Sequence, residues 1–206
     1  MKDISVKALA KINLGLDVVR KREDGYHEVR MVMQTIHLFD RLEISKNTSG
    51  EITMETNLSF LPTNENNLVY KAAKLLQDEF AIKDGVHVWL HKYIPVAAGM
   101  AGGSTDAAAV LYGMNQIFDL GLTREELMER GVKIGADVPY CIMRGTALAE
   151  GIGEKLSKLP PMVKCPVLIA KPQISVSTKF VYENLKLGSD MVHPDIDRLV
   201  ADIREK

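Results

Sequence analysis

The sequence predicts an α+β fold, and three observations point to it. Apolar residues alternate in strand-like fashion through the first third of the chain, and helical periodicity dominates most of the remainder. A single strand–glycine loop–helix crossover joins the two regimes. Strands that cluster first, with helices later, fit this class better than a regular alternation of the two. A length of 206 residues suits one large domain, or one domain with part of another. A hydrophobic fraction of 46% is enough to bury a core.

Ile4, Val6, Ala8 and Ala10 alternate with Ser5, Lys7 and Leu9, and Leu14, Leu16 and Val18 continue the pattern of a half-buried strand. Glu23-Asp24-Gly25 is a turn signal. Val29 to Leu38 is apolar and β-branched. Leu42-Glu43-Ile44 and Ile52-Thr53-Met54 add short strands, with Asn47 to Gly50 as a hairpin connection. The polar stretch 64–67 precedes an amphipathic helix in which Leu68, Ala72, Leu76 and Phe80 recur every four residues. A strand over 86–92 carries the alternation Val86-His87-Val88-Trp89-Leu90. A helix from about Ser104 to Phe118 follows, rich in alanine, the best helix former. Thr123-Arg124-Glu125-Glu126 is a capping box with Leu122 and Leu127 as its hydrophobic staple, and that helix runs to about Ile134 before Gly135. Strand-like residues return at Thr146 to Ala149, and Leu159-Pro160-Pro161 marks a boundary. A strand at 167–170, a short helix near 179–185 and a last helix carrying Ile196, Leu199, Val200 and Ile203 complete the chain.

Several function classes are disfavoured. A net charge of −1 gives no global attraction to nucleic acid or to an anionic membrane, so any phosphate affinity must be local. Cys141 and Cys165 lack metal or disulfide spacing and fit buried thiols of a reducing compartment. No His/Cys cluster or H-E-x-x-H occurs, so no protein-built metal site is expected. The N-terminus has no unbroken apolar core of signal-peptide type and no run approaches membrane-spanning length, which makes the cytoplasm the default location.

The stretch with chemical promise is PVAAGMAGGSTDAAA, between the strand at 86–92 and the alanine-rich helix. Gly99, Gly102 and Gly103 let backbone approach a ligand and adopt positive φ, and Ser104 stands where an N-cap belongs. A strand, a glycine loop and a helix start together suit anionic oxygens, most often phosphate. The same composition also suits a tight turn that packs a small-faced helix on a sheet. The run is neither G-x-x-x-x-G-K-[ST] nor G-x-G-x-x-G, and Asp106 occupies the second glycine position of a nucleophile elbow.

Asp137 lies between Ala136 and Val138, with Pro139 expected to hold the backbone out of helix just afterward. A carboxylate in apolar company needs a partner, though a capping or turn aspartate reads the same way. Lys11 lies similarly between Ala10 and Ile12, where a snorkelling lysine is also at home. Facing each other beside the glycine loop, the two would be a base and its electrostatic partner. Tyr26-His27 follows Gly25 on a turn, placed either to stack on a planar ring or simply to pack.

The run AKINLGLDVVRKREDGYHE from Ala10 to Glu28, the loop PVAAGMAGGSTDAAA and the segment GADVPY from Gly135 to Tyr140 together resemble 4-diphosphocytidyl-2-C-methyl-D-erythritol kinases. These belong to the galactokinase, homoserine, mevalonate and phosphomevalonate (GHMP) kinase superfamily. The resemblance implies a GHMP-kinase-like N-terminal domain over 1–158, holding the ATP loop and the catalytic residues, and an incomplete α/β C-terminal domain over 159–206. It implies ATP, with Mg²⁺ arriving on the nucleotide, and phosphorylation of the tertiary hydroxyl of a cytidine diphosphate conjugate of methylerythritol. That reaction lies in the non-mevalonate isoprenoid pathway. Lys11 and Asp137 match the catalytic pair. Asn13, Tyr26 and His27 match substrate-binding positions, Thr178 and Tyr182 the segment completing the cytidine site, and Asn67 and Lys92 positions beside the adenine. Pro95, Val96, Ala97, Ala98, Gly99, Met100, Ala101, Gly102, Gly103, Ser104 and Thr105 match the phosphate loop, with Ser104 a contact for Mg²⁺. A monomer or weak homodimer is implied, with small-molecule partners only.

The family continues past Lys206 with a third, glycine-rich motif, so a truncated chain is expected, with apolar surface left exposed on the helix at 196–203 and the strand at 167–170. A kinase-like fragment that binds without turnover, or another polyol kinase of the superfamily, remain as alternatives.

Overall fold

A computed structural model describes residues 3–172, 174, 177–185, 187–188 and 191–205, apart from the side chains of Thr178 and Lys179. Six strands and six helices occur in these residues. The first stretch holds β1 (Asp3–Lys21), β2 (His27–Asn47), β3 (Ile52–Thr56), α1 (Leu68–Glu79) and β4 (Gly85–His91). Then come α2 (Gly102–Ile117), α3 (Arg124–Val132), α4 (Val138–Met143), β5 (Thr146–Glu150), β6 (Lys155–Lys158), α5 (Thr178–Asn184) and α6 (Ile196–Arg204). The mixture is α+β, as expected. The short strand candidates of the first third merge into two long strands, because a polar residue such as Asp40 does not end a strand whose backbone pairing continues.

Contacts divide the chain into two compact units. One takes the chain up to Ala10, Ile36–Pro95 and Ala101–Met143. The other takes Lys11–Thr35, Val96–Met100 and the chain from Arg144 onward.

In the first unit β4 lies between β3 and β2. It pairs parallel with β3 from Ile52↔Val86 to Thr56↔Leu90, and antiparallel with β2 from Arg41↔His91 to Asn47↔Gly85. Asn47 to Gly50 therefore does not close a hairpin, because β4 inserts between the two strands that this turn connects. Leu42, Ile44, Met54, Val86, Val88 and Leu90 are buried at alternate positions, the signature of a sheet with one covered face. At Gly113 of α2 a Cβ would sit 2.4 Å from Ile44 Cδ1, so the helix packs closely on β2 and a side chain there would require Ile44 to shift. Asn67 caps α1 by accepting the N–H of Val69 at 3.0 Å. The capping box of α3 is present, with Thr123 and Glu126 bonded reciprocally.

In the second unit β5 pairs antiparallel with β2 from Met31↔Ala149 to Gln34↔Thr146, and with β6 from Ala147↔Lys158 to Glu150↔Lys155. α6 lays Ile196, Val200 and Ile203, spaced as one helical face, against Val32, Leu148 and Leu159. The expected exposed apolar face on this helix is thus buried. Arg30 ties it further, donating to both carboxylate oxygens of Asp197 at 2.6 and 3.1 Å. The expected strand at 167–170 is not a strand, since no neighbour pairs with it among the described residues, and Leu168 is 97% exposed. No helix among the described residues is long and apolar enough to cross a membrane.

Candidate functional site

The loop between β4 and α2 owes its shape to backbone signs more than to its glycines. Ala97, Gly99 and Ala101 have φ of 54°, 70° and 56°, while Ala98 and Met100 between them are not left-handed. Such alternation turns successive N–H groups toward one side, the arrangement that forms anion-binding nests. Left-handed backbone costs an alanine about 1–2 kcal/mol, so two positions here are held against local preference. Gly102 and Gly103, unlike Gly99, do not have the positive φ that their composition allows.

α2 begins at Gly102, two residues earlier than expected, and Ser104 falls within its first turn instead of capping it. Ala101 occupies the cap position, has no side chain able to cap, and no acidic residue lies in the first turn. Among the described residues no side chain caps these N–H groups, so they and the positive end of the helix dipole can serve an external anion or water. Thr105 is buried and its hydroxyl donates to Leu9 O at 2.8 Å, which commits that hydroxyl to β1. Pro95, Val96 and Gly103 are exposed, while Ala98 and Ser104 are half-buried.

Lys92, just past β4, is 7% exposed. Its ammonium donates to Asp40 Oδ2 and to Asp106 Oδ2, the latter at 2.8 Å. Its backbone N–H donates to Asn57 Oδ1 at 2.8 Å, and its carbonyl accepts from Asn57 Nδ2 at 3.1 Å. Asn67 is similarly engaged: besides capping α1, its Nδ2 donates to Pro62 O at 2.8 Å. Neither Asp40 nor Asp106 was singled out as a site residue from sequence. The available signal was the one used for Asp137, a carboxylate in apolar company. Asp40 follows Phe39 in a buried strand and Asp106 precedes Ala107-Ala108-Ala109.

Asp137 is half-buried immediately before α4, and its carbonyl accepts the N–H of Cys141 at 3.1 Å, opening the helix. The expectation that Pro139 keeps the backbone out of helix is corrected. Pro139 sits in the first turn of α4, where a missing N–H costs nothing and its fixed φ suits the helix.

In the second unit Lys11 is buried. Its Nζ donates to Asn13 Oδ1 at 3.2 Å, and its backbone N–H donates to Met100 O at 3.2 Å, which joins this strand to the glycine loop. Tyr26 is 61% exposed, with its N–H on Asp24 Oδ1 at 3.1 Å. His27 meets Tyr182 of α5, ring centroids 5.0 Å apart and tilted by 31°, so two substrate-binding candidates far apart in sequence share one place. The side chain of Thr178 lies outside the described residues. Lys11 lies in the second unit and Asp137 in the first.

Comparison with known proteins bears on the family of the chain as a whole. Residues 67–145 match the GHMP kinases N terminal domain. A 4-diphosphocytidyl-2-C-methyl-D-erythritol kinase from Lachnoclostridium phytofermentans is 61% identical over 203 residues, covering 98% of this chain and 70% of that one. The enzyme of the same name from Lachnospira eligens is 58% identical over 206 residues, covering 100% and 72%. A crystal structure of 4-(cytidine 5'-diphospho)-2C-methyl-D-erythritol kinase superposes with a TM-score of 0.79 at 32% identity, over 98% of this chain and 72% of that one. With identities this high along essentially its whole length, the chain belongs to the 4-diphosphocytidyl-2-C-methyl-D-erythritol kinase family of GHMP kinases and is a kinase.

Proposed function

We propose that the chain transfers the γ-phosphoryl group of ATP to the tertiary 2-hydroxyl of 4-diphosphocytidyl-2-C-methyl-D-erythritol, in the cytoplasm, as a step of the non-mevalonate route to isoprenoid precursors. The observation that carries this reading is the alternating backbone of 97–101 leading into an uncapped helix start at Gly102. Unclaimed N–H groups and an uncompensated helix dipole fit the triphosphate of ATP. Mg²⁺ comes with the nucleotide, because it favours phosphate oxygens and water. The Ser104 hydroxyl in the first turn is the side chain suited to touch it. The ion would screen charge on the phosphates.

In this reading Asp137 takes or orients the proton of the attacking hydroxyl, and Lys11 stabilises the negative charge that develops nearby. The new bond forms between the substrate oxygen and the γ-phosphorus, the bond to the bridging β,γ-oxygen breaks, and ADP leaves. Such transfer asks the protein mainly for positioning and electrostatic stabilisation. Tyr26, His27, Asn13 and Tyr182 hold the cytidine end, which the contact between His27 and Tyr182 supports.

Asp137→Asn keeps size and loses charge. Turnover with ATP and the cytidylyl substrate should fall by roughly 10²–10⁴-fold with little change in either KM. Lys11→Met should behave alike, and the double variant should be little worse than either single one if the pair acts as a unit. Near-normal turnover in Asp137→Asn returns that residue to the part of a turn aspartate.

A further inference from the structure

The single tryptophan of the chain stands on a sheet face that no core covers. β2 and β4 bury Leu42, Ile44, Val88 and Leu90, and α2 packs on Ile44 through Gly113. Side chains alternate along a strand, so Arg41, Glu43, Trp89 and His91 belong to the other face. That face is open to solvent: the Arg41 and Glu43 side chains are 53% and 48% exposed, and Glu55 is exposed as well.

Strand pairing sets these residues in two rows. Trp89 lies between Glu43 of β2 and Glu55 of β3, and His91 lies opposite Arg41. Two residues of strand separate the acidic row from the basic one, about 6–7 Å. Trp89 and His91 stack across that gap, with ring centroids 3.8 Å apart and an interplanar angle of 13°. Arg41 is held in place, its Nε donating to Ser5 Oγ at 3.1 Å and its Nη2 lying 3.0 Å from Glu43 Oε1. His91 is less well served: its buried Nε2 has no hydrogen-bond partner among the described residues, and Glu43 Oε1 is 3.8 Å away. Beside Trp89 opens a cavity of about 320 Å³, lined in part by Ser5, Arg41 and His87.

We propose that this face binds a second copy of the chain, across a twofold axis lying in the interface, perpendicular to the strands and midway between the two rows. Rotation about that axis lays each row on the other. Glu43 of one copy then faces Arg41 of its partner, and the same pair forms again across the axis, as an isologous contact requires. Each Trp89 covers the partner's His91. Stacked sheets lie about 10 Å apart, which leaves room for such long side chains to interdigitate. Tryptophan and arginine are also the residue types that most often anchor interfaces. An apolar partner would strip water from Arg41 and Glu43 without answering their charges, and a partner of one charge sign would be repelled by one of the rows. A second copy answers both. Because α2 packs on the opposite face, pairing leaves its start at Gly102 uncovered.

Sedimentation velocity of the whole chain from about 5 µM to about 0.5 mM tests this, with Trp89 emission as a built-in reporter. A reversible monomer–dimer equilibrium is expected, with emission moving to shorter wavelength as the dimer forms. Raising salt from about 0.05 to 0.5 M should weaken the dimer several-fold. Arg41→Glu and Glu43→Arg should each weaken it by about tenfold or more, because like charges then face one another. An equimolar mixture of the two variants should pair nearly as well as the parent, since one copy is then acidic where the other is basic. A parent that stays monomeric throughout overturns the proposal. So does a dimer that tolerates both reversals, or one that the mixture fails to restore, since either assigns the contact to another surface. If circular dichroism shows a reversal unfolded, the emission of the parent decides: a shift with concentration supports the face around Trp89, and a constant spectrum overturns it.

Discussion

Gly102 and Gly103 are sequence neighbours with different surroundings. A methyl group at 102 meets Lys92 Nζ at 3.0 Å and Ile94 Cγ2 at 3.3 Å, and Lys92 is clamped by two aspartates and cannot easily yield. Gly102→Ala should therefore cost about 1–3 kcal/mol in denaturant unfolding, the usual range for overpacking. A methyl group at 103 meets only Leu68 Cδ1 at an ordinary 3.6 Å. Gly103→Ala should leave the fold as stable or up to about 1 kcal/mol more stable, through helix propensity, while weakening ATP binding at the exposed helix start. Equal stability losses at the two positions would contradict this division. From sequence the two looked alike, because the neighbour that separates them is Lys92, ten residues upstream of Gly102. Asp137 was legible as a carboxylate among apolar residues. Asp40 and Asp106 carried the same mark, but their partnership depends on a strand pairing that no local pattern records.

Elements were legible where a local signal defines their start. The Thr123–Glu126 box before α3 caps as its spacing implies, and the polar stretch 64–67 does precede α1, with Asn67 as its cap. Thr123→Ala should cost about 1 kcal/mol, and Glu126→Ala should cost less, since the threonine accepts the N3 N–H directly. Thermal melts of the two variants check the order, and a neutral Thr123→Ala would mean that packing of Leu127 alone holds the helix. The start of α2 was misplaced because its cap is a left-handed alanine, for which composition gives no cue. α4 was missed because a proline after Val138 signals a break equally well as a first turn. The turn at 47–50 suggested a hairpin because sequence shows which strands are consecutive and not which become neighbours in the sheet.

At the scale of the whole molecule, the class was readable because strand and helix periods occupy different parts of the chain. The division into units was not, since β1 and β2 each contribute to both. The burial of α6 likewise depends on Val32, Leu148 and Leu159, which lie far away in sequence. What stays uncovered is the stretch after Pro161, where Val163, Val167, Leu168 and Ile169 are 60%, 48%, 97% and 39% exposed. A run of this kind binds hydrophobic dyes and favours self-association. The chain should enhance the fluorescence of an anilinonaphthalene dye, and Leu168→Asp with Val163→Asp should remove most of that signal without lowering the melting temperature. A retained signal would place the dye elsewhere.

Alanines at 97 and 101, where glycines would sit more comfortably, also bear on how a ligand is met. A glycine loop samples many shapes before binding and must surrender that freedom on closing around an anion. Alanine has fewer shapes to lose, so a loop bent in advance by its surroundings greets its ligand with part of the ordering already done. Ala97→Gly with Ala101→Gly should relax the backbone and yet bind nucleotide with a less favourable entropy in calorimetry. The strain at these two residues then amounts to a loop that does not have to search.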